Sequence, residues 1–401
     1  MQKLLLSFKK GTTYPSQKSI RALLLLAAST CATHWCNAEQ QKHTLPVYRD
    51  GRYYYSQEEY ESTSVWSHFT SIPYKLPVLL MRELPHALGI KKQPLCQWPT
   101  VEKPEIPSRS TELLLTWINH SSFLIQIGGQ NILIDPVFGE CPPLRRTHKP
   151  GFALAQLPPI DYVLISHNHA DHTDFVTLKA LAARDNPLFI LPIGNAKLFN
   201  TMGIQKSIEK NWWEQEVIMP KQRTNTESNT DKQLLTITCL PARHWSCRKL
   251  LDVNTALWSS WMIECNGSTI YCAGDSGYGP HFKEIGKAFP IIDVALMPIH
   301  PIKSSDEHIG PKDAITAFLD LGAQIFVPIH WGTFSCESYI PEMPLIRLAQ
   351  HWQHRHAELE NKQCLLFQFG QTKSIIDILS SNNALNNLAQ YERLPENAHT
   401  L

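Results

Sequence analysis

The stretch S-H-N-H-A-D-H at residues 166–172 follows the apolar run 162–165 directly. A strand that ends in such a turn directs several side chains toward one point. Zinc binds His nitrogen and carboxylate oxygen at about 2.0–2.2 Å, so one compact turn can serve two ions. A histidine-rich surface loop is the alternative, but it does not explain four ligand groups after a buried strand. The spacing predicts two pairs of metal ligands: His167 with His169, and Asp171 with His172.

Three further candidate ligands lie later in the chain, each at the C-terminal end of a short apolar run typical of a strand. His244 follows the run 234–240, Asp275 follows 269–274, and His330 follows 324–329. Ligands at the same end of several strands converge on one edge of a sheet, whereas scattered histidines would not follow this rule. The sequence therefore predicts a single binuclear centre at a sheet edge.

The order of these ligands resembles that of the metallo-β-lactamase superfamily, and the surrounding residues narrow the resemblance. The segments that carry it are 157–161, 166–169, 211–214 (N-W-W-E), 244–245 (H-W), 258–261 (W-S-S-W), 273–278 (A-G-D-S-G-Y) and 329–334 (I-H-W-G-T-F). Over about residues 111–334 the chain resembles the N-acylphosphatidylethanolamine-hydrolysing phospholipase D family. This resemblance implies an α/β fold, specifically a four-layer αββα sandwich of the metallo-β-lactamase type. The sequence pattern alone supports only a general α/β class.

The resemblance also implies how the ligands are shared between two zinc ions. One ion takes His167, His169 and His244, the other takes Asp171, His172 and His330, and Asp275 bridges them. A carboxylate suits the bridging position because its two oxygens can contact two cations. The expected catalytic residues are Asp171, Asp275 and His308. Zinc is favoured by the histidine-rich ligand set, although iron or manganese also binds mixed nitrogen and oxygen sites.

Further residues are expected beside the ligands or the substrate. Asp135 ends a strand and would orient a ligand histidine through a hydrogen bond, although Asp-Pro is also an ordinary turn. His120 matches a Gly-His loop of the family, but Asn119 stands where glycine is usual, which puts the loop geometry in question. His308 would contact the substrate phosphate or protonate the leaving alkoxide, whereas the neighbouring Glu307 would repel a phosphate. A solvated surface pair is the alternative for these last two residues.

Two activities fit this site. The first is a zinc phosphodiesterase that hydrolyses N-acylphosphatidylethanolamine to N-acylethanolamine and phosphatidic acid, with a hydroxide held by the metals attacking phosphorus. The alternative is a zinc hydrolase of the same fold that acts on a lactone or another ester. A metal-retaining binding protein is a third interpretation. The implied partner is a phospholipid at a membrane surface. Nucleic acid is not expected, since the sequence shows no basic stripe, and the oligomeric state stays open.

Residues 1–38 contain five basic residues and no acidic one. They include the apolar run 22–28 and end with C-N-A, directly before Glu39. This pattern resembles a secretory signal and predicts export to the periplasm or the medium. The alternative is an ordinary N-terminal extension on a cytoplasmic or peripheral membrane protein. Removal of the leader would change the net charge from +1 to −4, with 32 basic and 36 acidic residues left, so any membrane docking would have to be local.

The rest of the chain divides into three parts. Residues 39–110 are aromatic and proline-rich and are expected to pack on the core, with the stretch 65–82 either packed or facing lipid. Residues 111–374 form the predicted catalytic domain, and 375–401 form a polar tail.

Within the catalytic domain, apolar periodicity and turn residues predict the elements. Strands are expected at 112–118, 123–127, 130–134, 188–192, 234–240, 257–264, 268–273, 291–298 and 324–329, and helices at 175–184 and 311–321. Two mixed sheets packed face to face with helices outside account for this order.

Overall fold

The computed structural model of this chain describes residues 43–62, 94–219, 234–249, 251–335 and 339–380. The predicted leader 1–38 and the stretch 65–82 lie outside these residues, as does most of the predicted tail. The helix Ile375–Ser380 begins at the first residue of that tail, and Ile375 is buried. Among the described helices, none combines the length and the apolar character needed to cross a bilayer.

The strands of the described residues are numbered along the chain. They are β1 Val47–Arg49, β2 Arg52–Tyr54, β3 Leu114–Asn119, β4 Ser122–Ile127, β5 Gln130–Ile134, β6 Arg145–Arg146, β7 Tyr162–Leu164, β8 Leu188–Pro192, β9 Ser207–Lys210, β10 Gln215–Ile218, β11 Leu235–Leu240, β12 Ser260–Cys265, β13 Ser268–Cys272, β14 Val294–Pro298, β15 Ile325–Ile329, β16 Phe334–Ser335, β17 Gln363–Cys364 and β18 Thr372–Ser374. The helices are α1 Gln57–Ser62, α2 Phe175–Asp185, α3 Ala196–Thr201, α4 His281–Ala288, α5 Pro311–Leu321, α6 Met343–His354 and α7 Ile375–Ser380. Short 3₁₀ helices cover Leu154–Gln156 and His356–Glu358.

Two seven-stranded mixed sheets dominate the fold. The first has the order β18-β3-β4-β5-β7-β8-β9 and the second the order β10-β11-β12-β13-β14-β15-β17. In each sheet the antiparallel strands of one half pass into parallel strands in the other, at β5–β7 in the first and at β13–β14 in the second. Small antiparallel pairs, β1–β2 and β16–β6, lie outside these sheets.

The inner parallel strands β7 and β8 of the first sheet are apolar on both faces because both faces are covered. Side chains alternate along a strand, so Leu164 of β7 and Ile190 of β8 enter the core shared with the second sheet. Their neighbours Val163 and Phe189 pack on the opposite face with Leu178 of α2. Sheets therefore form the two inner layers and helices the outer ones, as the predicted four-layer αββα sandwich requires.

The strands deliver the candidate ligands to one rim. In the second sheet β13, β14 and β15 run parallel to one another, and β11 and β13 both run antiparallel to the intervening β12. The C-terminal ends of β11, β13 and β15 consequently meet at the same edge of the second sheet. The two sheets are joined there by the Ser259 amide, which donates to the Ser166 carbonyl at 2.8 Å, and by the Trp261 indole, which donates to the Ile165 carbonyl at 3.1 Å.

The segment 44–62 contacts the second sheet and α4. The Thr44 hydroxyl donates to the Glu284 carboxylate at 2.6 Å, and the Tyr53 amide donates to the Asn254 carbonyl at 2.7 Å. The Trp213 indole donates to the Thr44 carbonyl at 2.9 Å. These long-range bonds place the hairpin β1–β2 and α1 close to the loops that carry the later ligands.

Candidate metal centre

The structure brings all seven predicted ligands together at the rim, with His120 and His308 beside them. Their ligand atoms form four overlapping groups, and the atoms of each group all lie within 4.8 Å of one another. The groups are His120, Asp171, His172 and His330; His167, His169 and His244; His167, His172 and Asp275; and His244, Asp275 and His308. Asp275 shares groups with ligands of both predicted ions, which is the placement expected of a bridging carboxylate.

Asp135 organises the half of the site that comes from the first sheet. Its carboxylate accepts from the Ser166 amide at 2.7 Å, from the Ser166 hydroxyl at 2.6 Å and from His172 Nδ1 at 2.8 Å. Because the Ser166 hydroxyl donates to Asp135, it accepts from His167 Nδ1 at 2.9 Å. A neutral ring in either position is thereby assigned the Nδ1–H tautomer, which leaves Nε2 available as a ligand atom.

His244 is oriented from the second sheet. Its Nδ1 donates to the backbone carbonyl of Glu307 at 2.8 Å, and its Nε2 lies 3.2 Å from Nδ1 of His169. Two nitrogens on a tetrahedral zinc, each about 2.0–2.1 Å from the ion, would lie roughly 3.3 Å apart. The spacing of these two imidazoles therefore fits two ligands of one ion.

Several ligand atoms are buried without a hydrogen bond within the described part of the chain. They are Nε2 of His167, His172 and His330, and Oδ1 of Asp275. His172 Nε2 and His330 Nε2 do lie 3.2 and 3.1 Å from the other oxygen of Asp275. Buried polar atoms are costly to leave unpaired, and so many at one point fit a cluster that pairs with cations.

The charges of the site also suit cations. Burial alone would raise the pKa of Asp275, but His172 and His330 outweigh it and hold that pKa well below its usual value. Burial lowers the pKa of His169 to about 4 and that of His244 well below the ordinary value. For His330, burial is outweighed by Asp275 and Asp171, which raise its pKa to about 9. The carboxylates therefore favour positive charge at the centre. Either protons on the imidazoles or bound metal ions can supply that charge, and the two compete for the same nitrogen atoms.

The structure places the strain of the loop after β3 at His120 and not at the preceding residue. Asn119 ends β3, and its side-chain Nδ2 donates to the Val137 carbonyl at 2.9 Å. The left-handed φ of 44° belongs to His120, whose Nε2 lies 3.3 Å from Oδ2 of Asp171. Burial lowers the pKa of His120 to about 3. Asparagine in place of glycine thus does not disturb the loop, because the glycine-like conformation is not required at Asn119.

His308 lies at the open side of the centre. Its Nδ1 is 3.8 Å from Oδ2 of Asp275, its ring contacts those of His244 and His330, and its side chain is 24% exposed. Glu307 is placed beside the ligands by its carbonyl, and the preceding Asp306 pairs with a guanidinium, that of Arg243, at 2.9 Å. This arrangement differs from a solvated surface pair, since the backbone of Glu307 and the ring of His308 both face the ligands.

Three features of the site were not anticipated from the sequence. The Ser166 hydroxyl and the Glu307 carbonyl orient ligands, and a hydroxyl or backbone carbonyl carries no spacing signature. His300 is buried, with its ring 5.8 Å from that of His330. His300 follows the C-terminal end of β14, so the strand-end rule that selected the other ligands also points to it.

The aromatic neighbours of the ligands act mainly in packing. Trp245 contacts the His169 ring edge-on at 4.4 Å. Trp331 packs against Trp98 and Trp117 at 5.2 and 5.3 Å. In β6, the Arg146 guanidinium donates to the Gly139 carbonyl and lies over the Phe334 ring at 4.6 Å, so this side chain supports the rim.

Residues 130–331, half of the chain, match the family model described as the β-lactamase superfamily domain. An uncharacterised protein of Mycobacterium tuberculosis is 34% identical over 62% of this chain and 66% of its own length. The mitochondrial N-acyl-phosphatidylethanolamine-hydrolyzing phospholipase D of Saccharomyces cerevisiae is 30% identical over 59% of this chain, and the match spans about half, 52%, of that enzyme. A metallo hydrolase of Ignicoccus hospitalis, 21% identical, aligns over 66% of this chain and 98% of its own with a TM-score of 0.48.

The family match includes all seven predicted ligands, and its last residue lies one position beyond His330. The folded architecture has the two mixed sheets and the outer helices expected for that match. The chain therefore belongs to the metallo-β-lactamase superfamily.

Proposed function

We propose that this chain is a metal-dependent hydrolase that uses two zinc ions to cleave the phosphodiester of N-acylphosphatidylethanolamine. The products would be N-acylethanolamine and phosphatidic acid. The observation that carries the hydrolase proposal is the convergence of buried ligand atoms into two groups connected through Asp275. The substrate class comes from the yeast relative, which is 30% identical to this chain over 252 residues.

The residues that would hold the ions follow from the ligand groups. His167, His169 and His244 would bind one ion, Asp171, His172 and His330 the other, and Asp275 both. When bound, two zinc ions would lower the pKa of a water so that hydroxide is available as the nucleophile at neutral pH. The same ions would offset the negative charge of a phosphate.

The chain's own residues would orient this chemistry. Asp135 and Ser166 fix the tautomers of His167 and His172, and the Glu307 carbonyl fixes that of His244. His308 faces the ligands from the open side, where its imidazole can donate to a phosphoryl oxygen or protonate the leaving alkoxide.

The proposal is tested by incubating the purified full-length protein with N-acylphosphatidylethanolamine in ¹⁸O-labelled water. Attack on phosphorus places the label in the phosphate of phosphatidic acid and leaves the N-acylethanolamine unlabelled. Cleavage of an acyl ester would instead place the label in a released fatty acid. A parallel panel of lactones tests the alternative ester hydrolase.

Two histidine variants provide a matched comparison. His244→Ala should abolish the phosphodiesterase activity, whereas His354→Ala should retain it, because His354 is exposed on α6 and its Nδ1 bonds the Gln350 carbonyl of the same helix. Lipid cleavage that persists in His244→Ala, or lactone turnover without labelled phosphatidic acid, would contradict the proposed reaction. Fewer than two metal ions per active chain would contradict the binuclear centre.

A further inference from the structure

A buried chain of hydrogen bonds leads from the N-terminal segment toward the metal centre. Tyr55, 7% exposed, lies between β2 and α1, and its hydroxyl is 3.0 Å from Nδ1 of His281. His281 begins α4 and is fully buried, and its Nε2 lies 3.1 Å from the hydroxyl of Ser276. Ser276 directly follows Asp275, the candidate bridging ligand.

The direction of each hydrogen bond in this series can be assigned from its last member, Ser276. The Ser276 hydroxyl donates to the Gly277 carbonyl at 2.8 Å, so it accepts from Nε2–H of His281. With its proton on Nε2, a neutral His281 ring presents a lone pair at Nδ1, and the Tyr55 hydroxyl donates to it. Every donor then has one acceptor, which gives the chain a single arrangement.

This series of hydrogen bonds ends where the segments that carry His244 and Asp275 meet the loop of Asp306 and Glu307. The Ser276 hydroxyl also accepts from the Arg243 amide at 3.0 Å, and the Gly277 amide donates to the Arg243 carbonyl at 2.7 Å. A Cβ on Gly277 would come within 2.0 Å of the Asp306 carbonyl. The next residue, Glu307, accepts from His244. The position of Ser276 is thus coupled to the backbone that precedes His244 and to the backbone that follows Asp275.

We propose that Tyr55, His281 and Ser276 are positioning residues through which the segment 44–62 holds the loops of His244 and Asp275 in metal-binding geometry. The inference rests on the proposed metal centre but not on the identity of the substrate. The segment 44–62 would accordingly be part of the hydrolytic unit, although it lies outside the region matched by the family model.

Burial supports the neutral state of the central imidazole. It lowers the pKa of His281 to about 3, with a smaller contribution from Arg243. At neutral pH the ring therefore keeps one donor and one acceptor, as the assigned directions require.

The test compares zinc affinity and the visible absorption of the cobalt(II)-loaded protein for the wild type, Tyr55→Phe and Ser276→Ala. Tyr55→Phe removes one oxygen and leaves the His281 lone pair without its donor. Loss of groups that orient metal ligands typically weakens affinity by about 10–100-fold. We expect about tenfold weaker zinc binding for Tyr55→Phe, a larger loss for Ser276→Ala, and an altered cobalt spectrum in both.

Thr44→Val is the matched control. It removes a hydrogen bond between the same segment and the same helix, from the Thr44 hydroxyl to Glu284, but this bond does not lead to Ser276. Its cobalt spectrum and zinc affinity should equal those of the wild type. Unchanged affinity and spectrum in Tyr55→Phe, or equal changes in Tyr55→Phe and Thr44→Val, would overturn the positioning role.

The outcomes separate this inference from the proposed function. A wild type that binds two zinc ions but cleaves no lipid, with the expected difference between the variants, refutes the proposed substrate and supports the positioning chain. A wild type that binds neither zinc nor cobalt overturns both.

Discussion

Asp135→Asn is the substitution for which the structure makes the sharpest prediction. The carboxylate of Asp135 accepts three hydrogen bonds, from the Ser166 amide, the Ser166 hydroxyl and His172 Nδ1. Asparagine has one acceptor oxygen and one NH₂ group in the same volume. If the NH₂ group faces His172, the imidazole must turn to the tautomer with its proton on Nε2, the atom that faces the ligands.

The expected magnitude follows from that change. Substitution of groups that orient metal ligands typically costs about 10–100-fold in metal affinity, or about 1.4–2.7 kcal/mol. The loss should fall on the ion bound by Asp171, His172 and His330, because His172 is the ligand that bonds Asp135 directly. If the NH₂ group instead faces the Ser166 amide, two donors oppose each other and the free energy of unfolding falls by about 1–3 kcal/mol.

The assay is a competitive titration of zinc against a chromophoric chelator, with thermal unfolding measured in parallel. Asp161→Asn is the matched control, since Asp161 accepts from the Asn131 amide at 2.9 Å and pairs with Arg109. It loses comparable bonds on the same sheet but touches no candidate ligand. If Asp135→Asn binds both zinc ions within twofold of the wild-type affinity and also keeps the wild-type free energy of unfolding, the assignment of Asp135 as the group that orients His172 is wrong.

Two further predictions concern the loops and the buried imidazole. Gly277→Ala should destabilise the protein by several kcal/mol and weaken zinc binding, because its Cβ would collide with the Asp306 carbonyl; a melting temperature and zinc affinity equal to those of the wild type would contradict the close approach. His281 should make the free energy of unfolding fall as the pH drops below about 6.5. Burial lowers the pKa of the folded-state imidazole to about 3, so below about pH 6.5 only the unfolded chain binds a proton at this residue. The free energy of unfolding should then fall by up to about 1.4 kcal/mol per pH unit. The difference in unfolding free energy between the wild type and His281→Gln, followed from pH 7 to pH 4, isolates this term from other titrating groups, and a constant difference would refute it.

The sequence predicts the convergence of these seven side chains because they follow strand ends, where local pattern and chemistry coincide. It predicts less well where tertiary contacts override that pattern. The predicted strand 257–264 is in fact β12, Ser260–Cys265, because Leu257 and Ser259 donate their amides across to the first sheet, at the Ile193 and Ser166 carbonyls. Residues that look extended therefore connect the two sheets and do not lengthen one of them.

Polar edge strands and exposed residues account for other differences. β9, Ser207–Lys210, is half-buried throughout and lacks the apolar alternation that would predict a strand. The predicted strand 291–298 begins only at Val294, since Ile291 is 67% exposed and precedes the pairing with β13. The contact between Tyr55 and His281 joins residues 226 positions apart, and periodicity within either segment gives no sign of it.

The candidate ligands come from both sheets, which gives the metal ions a structural role as well as a chemical one. The motif 166–172 follows β7 of the first sheet, whereas His244, Asp275 and His330 follow strands of the second. The sheets approach closely there, since a Cβ on Gly274 would lie 2.7 Å from that of Ser166. Bound ions would therefore act as cross-links between the two sheets at the rim.

Removal of zinc by a chelator should accordingly affect the rim more than the core. Ligands that bind only the folded state raise its stability, so the melting temperature should fall on chelation and recover when zinc is added back. Amide hydrogen exchange should accelerate at Ser259, whose amide bonds the first sheet, and stay unchanged at Ile125 within the hairpin β3–β4. Uniform acceleration at both amides would show that the ions stabilise the domain as a whole, and unchanged exchange at Ser259 would show that hydrogen bonds and packing hold the sheets together without them.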